Sequence, residues 1–141
     1  MEYRVSCNPD EIDFDFVHGF IAESYWAAGI AKSTQRKAMD NSLCFAVLQA
    51  SGAQVGFARV ITDKATFAYL ADVFIAQGHR SVGLSKLLMR SVLAHPDLQG
   101  LRRMMLATWD AHGLYRQFGF TELANPNTFM ELWQPDIYQP S

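Results

Sequence analysis

The apolar residues change their repeat part-way along the chain, and that change limits the folds open to it. Leu43 to Leu48 is a short apolar run, Ser51-Gly52 is a turn signal, and Val55 to Ile61 is a second run of the same kind. Two such runs joined by a Gly-containing turn make a hairpin. Asp63-Lys64 turns the chain again, and Thr66 to Ile75, rich in aromatic and β-branched residues, reads as a third strand. The stretch Gln77 to Ser81 is loop-like. From Leu84 the apolar residues recur at helical steps, at Leu87, Leu88, Val92 and Leu93. His95-Pro96 ends this helix, because a residue before proline is driven out of the helical region. Hairpins followed by a helical crossover call for a layered α/β domain with a mixed, mostly antiparallel central sheet and helices on both faces.

The flanking segments fit the same plan. Tyr3 to Ser6 suits a first strand, and Pro9-Asp10 is a turn and helix-start signal. From Ile12, the residues Phe16, Val17, Phe20, Ile21 and Tyr25 return at three- and four-residue steps, which predicts an amphipathic helix. Gly29 breaks it, and Ser33-Thr34 is expected to cap a polar second helix reaching about Met39. Arg103 to Thr108 suits a short buried strand. Asp110 is expected to cap a helix over Ala111 to Phe118, with Gly119 stopping it. Phe120 to Leu123 and Phe129 to Trp133 are expected to form a last hairpin around Asn125-Pro126-Asn127, followed by a loose tail from Pro135. The predicted order is β-α-α-β-β-β-α-β-α-β-β, and residues 1–141 suit one domain.

Composition narrows the function. The chain is 50% hydrophobic and 18% charged, as a folded globular domain requires. A formal net charge of −2 gives no electrostatic case for a nucleic-acid partner. No apolar stretch approaches the ~20 residues of a membrane span. The acidic N-terminus does not resemble a secretory signal. Cys7 and Cys44 lack metal-ligand or redox-pair spacing, so free thiols in a reducing, cytoplasmic compartment are expected. Zinc spacings and the G-x-x-x-x-G-K-[ST] phosphate loop are absent, so no metal is expected.

Chemistry concentrates in two segments. In Val73 to Leu93 a strand ends, a Gly-containing loop follows, and a helix starts near Gly83. The first turn of a helix presents unpaired N–H groups and a partial positive charge, a ready site for a pyrophosphate. Gly83 lets the backbone approach closely, and Arg80 adds a guanidinium suited to phosphate oxygens. The second segment, Thr108 to Phe120, reads T-W-D-A-H-G-L-Y-R-Q-F-G-F and places Tyr115 on a short helix.

Together these segments resemble the GNAT superfamily of N-acetyltransferases. The family's Q/R-x-x-G-x-G/A segment stands here as Arg80-Ser81-Val82-Gly83-Leu84-Ser85. Its N-x-x-A-x-x-L-Y-x-x-x-G-F segment stands as Thr108, Ala111, Leu114, Tyr115, Gly119 and Phe120. The resemblance covers roughly Leu43 to Leu132. Ser85 replaces Gly or Ala, Ser81 a frequent Gly, and Thr108 the usual Asn. A positive φ at Ser81 would strain it.

The resemblance implies acetyl-CoA as cosubstrate and an amine as acceptor. The backbone of Val73-Phe74-Ile75 would pair with the pantetheine arm, and an N–H near Val73 would stabilise the oxyanion. Residues 80–85 would hold the pyrophosphate, and Asp110 or His112 would take over part of the role of the missing Asn at Thr108. Tyr115 would protonate the leaving thiolate. Asp72, on the strand beside the thioester, is the first candidate for general base, ahead of Glu23 and His18; the alternative for Asp72 is a polar residue facing solvent or an ion-pair partner. Tyr25 and Trp26 would wall the acceptor pocket. The rival function is a non-catalytic acyl-CoA-binding sensor or scaffold; retention of Tyr115 favours the enzyme. The acceptor, a small molecule or a peptide, is not identified by the sequence. A homodimer is retained as an expectation to test.

Overall fold

The computed structural model describes residues 2–140 and contains one five-stranded sheet. Its strands are β1 (Tyr3–Ser6), β2 (Leu43–Gln49), β3 (Gln54–Thr62), β4 (Phe67–Ile75) and β5 (Arg103–Leu106), in spatial order β1-β2-β3-β4-β5. The first three pairings are antiparallel, and β4–β5 is parallel. The helices are α1 (Phe14–Ile21), α2 (Lys32–Asp40), α3 (Leu84–Ala94) and α4 (His112–Arg116).

Strand alternation sorts the side chains into two cores. Phe45 and Val47 of β2 join Val60, Leu70, Leu88, Met89 and Val92 on the α3 and α4 side. Phe57 and Phe74 meet Val17 and Ile21 of α1 and Met39 of α2 on the other face. A strand buried on both faces needs apolar residues at consecutive positions, which is why Leu43 to Leu48 reads as a continuous run.

One irregularity shapes everything that follows. Arg59 pairs with Ala71 and Phe57 with Phe74, so Asp72 and Val73 together stand opposite Ala58. This is a β-bulge, and Asp72 sits in it with φ of 56°. The bulge resets the alternation: Leu70 and Val73, an odd number of residues apart, both pack toward the α3 core.

Several sequence expectations are corrected. The helix α2 begins at Lys32 with Ala31 as its N-cap, and no side chain caps it. The preceding turn is closed by Gly29 N–H donating to Ala22 O at 2.9 Å, and the chain leaves it already extended at Ala31, so Ser33 and Thr34 fall inside the first helical turn. The cap of α4 is Ala111, not Asp110. Thr108 Oγ1 instead accepts from the N–H groups of Ala111 (3.1 Å) and Asp110 (3.4 Å), and β5 stops at Leu106. The final hairpin does not form: from Thr121 to Pro140 the regular structure is one 3-10 turn, Pro126–Thr128. The tail is not loose either, since Gln139 Nε2 donates to Ala28 O at 3.0 Å.

Candidate active site

The parallel pairing of β4 with β5 runs only from Phe67↔Arg103 to Leu70↔Leu106. Beyond Leu70 the remaining residues of β4, Ala71 to Ile75, have no strand partner on the β5 side among the described residues, and the two strands part. A cleft of about 840 Å³ opens there. It is bordered by Ala71 to Ile75, Thr108 to Ala111, Tyr115, Arg80, and the turn carrying Tyr25 and Trp26. Of the residues the sequence singled out, Tyr25, Trp26, Asp72 to Ile75, Arg80, Thr108, Asp110 and Tyr115 meet here, while Ser81 to Ser85 and His112 do not line the cleft.

Within β4 the side chains of Phe74 and Ile75 are buried in opposite cores, with Phe74 stacked on Phe20 at 3.9 Å between centroids. Only their backbone is left to serve a ligand.

At the end of β4 the chain makes a 3-10 turn at Gln77–His79 and enters α3 through Ser81 (φ 68°) and Gly83 (φ 81°). Ser81 thus carries the left-handed strain that the sequence raised as a condition. Gly83 needs its freedom for φ and not for crowding, because a Cβ there would meet no protein atom within 4 Å. No side chain caps α3. Among the described residues the N–H groups of Ser81 to Lys86 find no acceptor; the first helical bond is Leu87 N–H to Gly83 O. Free N–H groups at a helix start are of the kind that can hold an anion. Leu84 contributes backbone alone, its side chain being buried. Arg80 Nε donates to Ile75 O at 2.9 Å, which pins the guanidinium at the end of β4.

Tyr115 is buried in the α3 core with its ring edge-on to Phe120 at 5.8 Å, and it also reaches the cleft. Burial, then the proximity of Tyr25 and Asp110, raises its pKa above the ordinary phenol value. The hydroxyl therefore keeps its proton at neutral pH.

Asp72 is placed differently from the free carboxylate expected of a base. Its Oδ1 accepts from Trp26 Nε1 at 2.9 Å, and its Oδ2 accepts from Arg59 Nε at 2.8 Å. Both oxygens are engaged, and the residue is the ion-pair partner that the sequence offered as its alternative. His18 Nε2 is within hydrogen-bond reach of Ile30 O at 2.9 Å, and its ring stacks on Phe14. Glu23 is exposed outside the cleft lining. Thr108 and Asp110 line the cleft, whereas His112 lines a different depression along β5.

A family model for the acetyltransferase (GNAT) family matches residues 10–120, most of the chain. The chain belongs to that family. A GNAT-family chain from Xanthomonas campestris pv. campestris, assigned as an acetyltransferase, is 47% identical and superposes with a TM-score of 0.96 over 99% of both chains. A Gibberella zeae protein named as an acetyltransferase is 28% identical, the match covering 81% of this chain and 76% of that one. Glucosamine-6-phosphate N-acetyltransferase from Arabidopsis thaliana shares the fold, with a TM-score of 0.64 at 12% identity over 95% of this chain and 98% of that one. The mixed α/β architecture and the acyl-transfer chemistry of the family thus apply to this GNAT chain.

Sequence reasoning missed Arg59, Tyr69, Trp109 and Tyr138, all of which line the cleft. Arg59 had a usable signal: an arginine inside the apolar strand Val55 to Ile61 must find a buried anion. Trp109 stands 81% exposed beside the site, and nothing in its local pattern marks it.

Proposed function

We propose that this GNAT chain moves an acetyl group from acetyl-CoA to a primary amine by direct transfer. The observation that carries the proposal is the position of Tyr115, a protonated hydroxyl reaching the cleft where β4 and β5 part. The free N–H groups of Ser81 to Lys86 and the guanidinium of Arg80 suit the pyrophosphate. The β4 backbone on the side turned from β3 suits the amides of the pantetheine arm, and an N–H near Val73 in the bulge would serve the carbonyl oxygen.

In this mechanism the neutral amine attacks the thioester carbonyl and the C–N bond forms. The tetrahedral intermediate collapses, the C–S bond breaks, and the sulfur takes up the proton of Tyr115. The ammonium proton leaves to water in the open cleft, and Tyr115 is reprotonated from solvent. From reference values of about 10 for tyrosine and 8.5 for a thiol, full proton transfer is uphill by about 2 kcal/mol, and burial of Tyr115 adds to that. A hydrogen bond strengthening toward the transition state is therefore the main contribution. Asp72 holds Trp26 in place through its Oδ1 and is a positioning residue in this scheme.

The walls favour an acceptor with an apolar or aromatic body. Phe20, Tyr25, Trp26, Tyr69, Trp109 and Tyr138 line the cleft. Its carboxylates are Asp110 and the already paired Asp72, too few for a polyamine. Aromatic faces attract the cationic or apolar end of an arylalkylamine.

The test is Tyr115→Phe, assayed by release of CoA thiol with an arylalkylamine acceptor. The ring and its packing remain, so the expected result is a fall in turnover of about 10²-fold with little change in cofactor KM. Wild-type turnover under conditions where chemistry limits the rate would refute the assignment.

A further inference from the structure

The C-terminal tail returns to the cleft. Two turns fold it, with Ile137 N–H donating to Gln134 O at 3.2 Å and Gln139 N–H to Asp136 O at 3.0 Å. Tyr138 emerges from these turns as one of the residues lining the cleft. Its exposure is 37%, against 97% for Met130 earlier in the same irregular segment. A tyrosine near the end of such a segment would stand more open than this unless the body of the domain received it.

The seat for the tail is the turn that follows α1. Gln139 Nε2 donates to Ala28 O at 3.0 Å, across 111 positions of sequence. The backbone oxygen of Tyr138 lies 2.8 Å from where a Cβ on Gly29 would sit. A real Cβ does not come that close to a backbone oxygen, so any side chain at residue 29 would push the tail away. Gly29 also has φ of 84°, which calls for glycine on its own account. The seat is itself tied down. Gly29 N–H donates to Ala22 O at 2.9 Å, Ile30 N–H to Ala27 O at 3.1 Å, and Ala27 N–H to Ser24 Oγ at 3.1 Å.

The same turn carries Tyr25 and Trp26, whose rings meet edge to face at 5.0 Å between centroids. The bond from Trp26 to Asp72 fixes that pair against β4. Turn and tail therefore set three aromatic side chains on one cleft, and Tyr138 is the one that the tail delivers. Among the described residues, the bond from Gln139 to Ala28 is the one side-chain hydrogen bond that ties residues 134–140 to the rest of the chain. The Tyr138 hydroxyl bonds to none of the described residues, so the ring is what this position offers to a ligand.

We propose that the C-terminal tail is part of the acceptor site and that Tyr138 is a specificity-determining residue, its ring selecting amines with an aromatic body over small alkylamines. The inference rests on the acceptor cleft proposed above. An aromatic ligand gains both buried area and ring contact from Tyr138, and a short alkyl chain can return neither. The clasp of Gln139 on Ala28 holds the ring at the cleft, so clasp and ring act as one unit.

The experiment is calorimetric binding of 2-phenylethylamine and of ethylamine to the full chain in excess CoA. The parent should bind phenylethylamine the more tightly. Tyr138→Ala should weaken phenylethylamine by about 10-fold and ethylamine by less than about twofold, whereas Tyr138→Phe, which keeps the ring, should bind as the parent does. Gln139→Ala should weaken phenylethylamine by about threefold, the share of one hydrogen bond, and add nothing to Tyr138→Ala. Both positions are exposed, and a native circular dichroism spectrum in each variant checks the fold. Equal losses for the two amines, no loss in Tyr138→Ala, a parent without preference for phenylethylamine, or additivity of the two alanine variants would each overturn the proposal. Binding is read without turnover. A parent that prefers phenylethylamine through Tyr138 but releases no CoA thiol from acetyl-CoA would refute acyl transfer to this amine and uphold the role of the tail.

Discussion

The pair Arg59–Asp72 offers the sharpest measurement of how this site is built. The Nε–Oδ2 separation is 2.8 Å and the side chains are 15% and 6% exposed. At an effective dielectric of about 20, unit charges at that distance attract by about 6 kcal/mol before desolvation is subtracted. Removing one partner of such a buried pair costs about 3–5 kcal/mol, because the survivor is left charged and unpaired. Asp72→Asn keeps the size, an acceptor for the Trp26 indole and a side chain tolerant of φ near 56°. Its expected loss is therefore about 3 kcal/mol. Asp72→Ala also loses the indole bond and suits the left-handed backbone poorly, about 1 kcal/mol for each, giving about 5 kcal/mol. Urea unfolding reads both values. A cycle with Arg59→Met isolates the pair, and the double variant should be at least 2 kcal/mol more stable than the sum of the single effects implies. Catalysis separates the two roles open to Asp72. As the holder of Trp26, its Ala variant should raise the KM for the amine while its Asn variant does so little, with a loss that does not change with pH. As a base, its Asn variant should lose turnover most at neutral pH and recover at high pH. Wild-type stability in Asp72→Asn, or additivity in the cycle, would refute the ion-pair argument; recovery at high pH would restore the base.

Three further outcomes follow from the same geometry. Arg80→Ala should weaken CoA binding by about 10- to 100-fold in calorimetry, the size of one charge-assisted contact, with no loss of fold. Ser81→Gly removes a side chain from a left-handed position with φ of 68°, and should raise stability by about 1 kcal/mol in urea unfolding while leaving CoA affinity intact. Asp63 accepts from the N–H groups of Ala65, Thr66 and Phe67 and from the Thr66 hydroxyl, which holds its carboxyl well below the usual range. A depressed folded-state pKa means stability present above the unfolded value near 4 and lost as pH falls below it. Acid unfolding of Asp63→Asn should accordingly show a shallower loss of stability below pH 4 than the parent chain.

The parts of the fold written in hydrophobic period were readable from the chain alone. The runs of β2, β3 and β4 and the helical spacing of α3 depend on side chains meeting a core, and each is found within two residues of its predicted bounds. The loop that leads into α3 was readable as a helix start because a left-handed position there, at Gly83 with φ of 81°, calls for glycine. What escaped was set by contacts distant in sequence. For Asp72 the sequence left a base and an ion-pair partner both open but named no cation, and only the pairing of β3 with β4 brings Arg59 onto it across thirteen positions. Trp26 reaches the same carboxylate across forty-six. The predicted C-terminal hairpin failed for another reason. Phe120 to Leu123 and Phe129 to Trp133 have strand-forming composition, but strand propensity is realised only against a partner, and among the described residues Met130, Leu132 and Trp133 stay exposed with no strand beside them.

The strained backbone positions follow the path that a thioester cofactor would take. Among the described residues the non-glycine positions with positive φ are Lys64, in the β3–β4 turn, and Asp72 and Ser81. With Gly83, the last two place three left-handed residues within twelve positions, from the parting of β4 and β5 to the start of α3. Each costs the fold something, and a side chain at such a φ survives only where the surroundings over-determine it. At Asp72 the surroundings are the Arg59 guanidinium and the Trp26 indole, which fix the carboxylate and with it the bulge. At Ser81 no comparable anchor is present among the described residues: its side chain bonds to none of them and stands exposed. The two strains therefore differ in kind. The one at Asp72 is locked by the protein, so the bulge stands ready before any ligand arrives. The one at Ser81 is left for a ligand to reward, and the loop from Gln77 to Gly83 is the part of the site whose order should increase most when CoA binds.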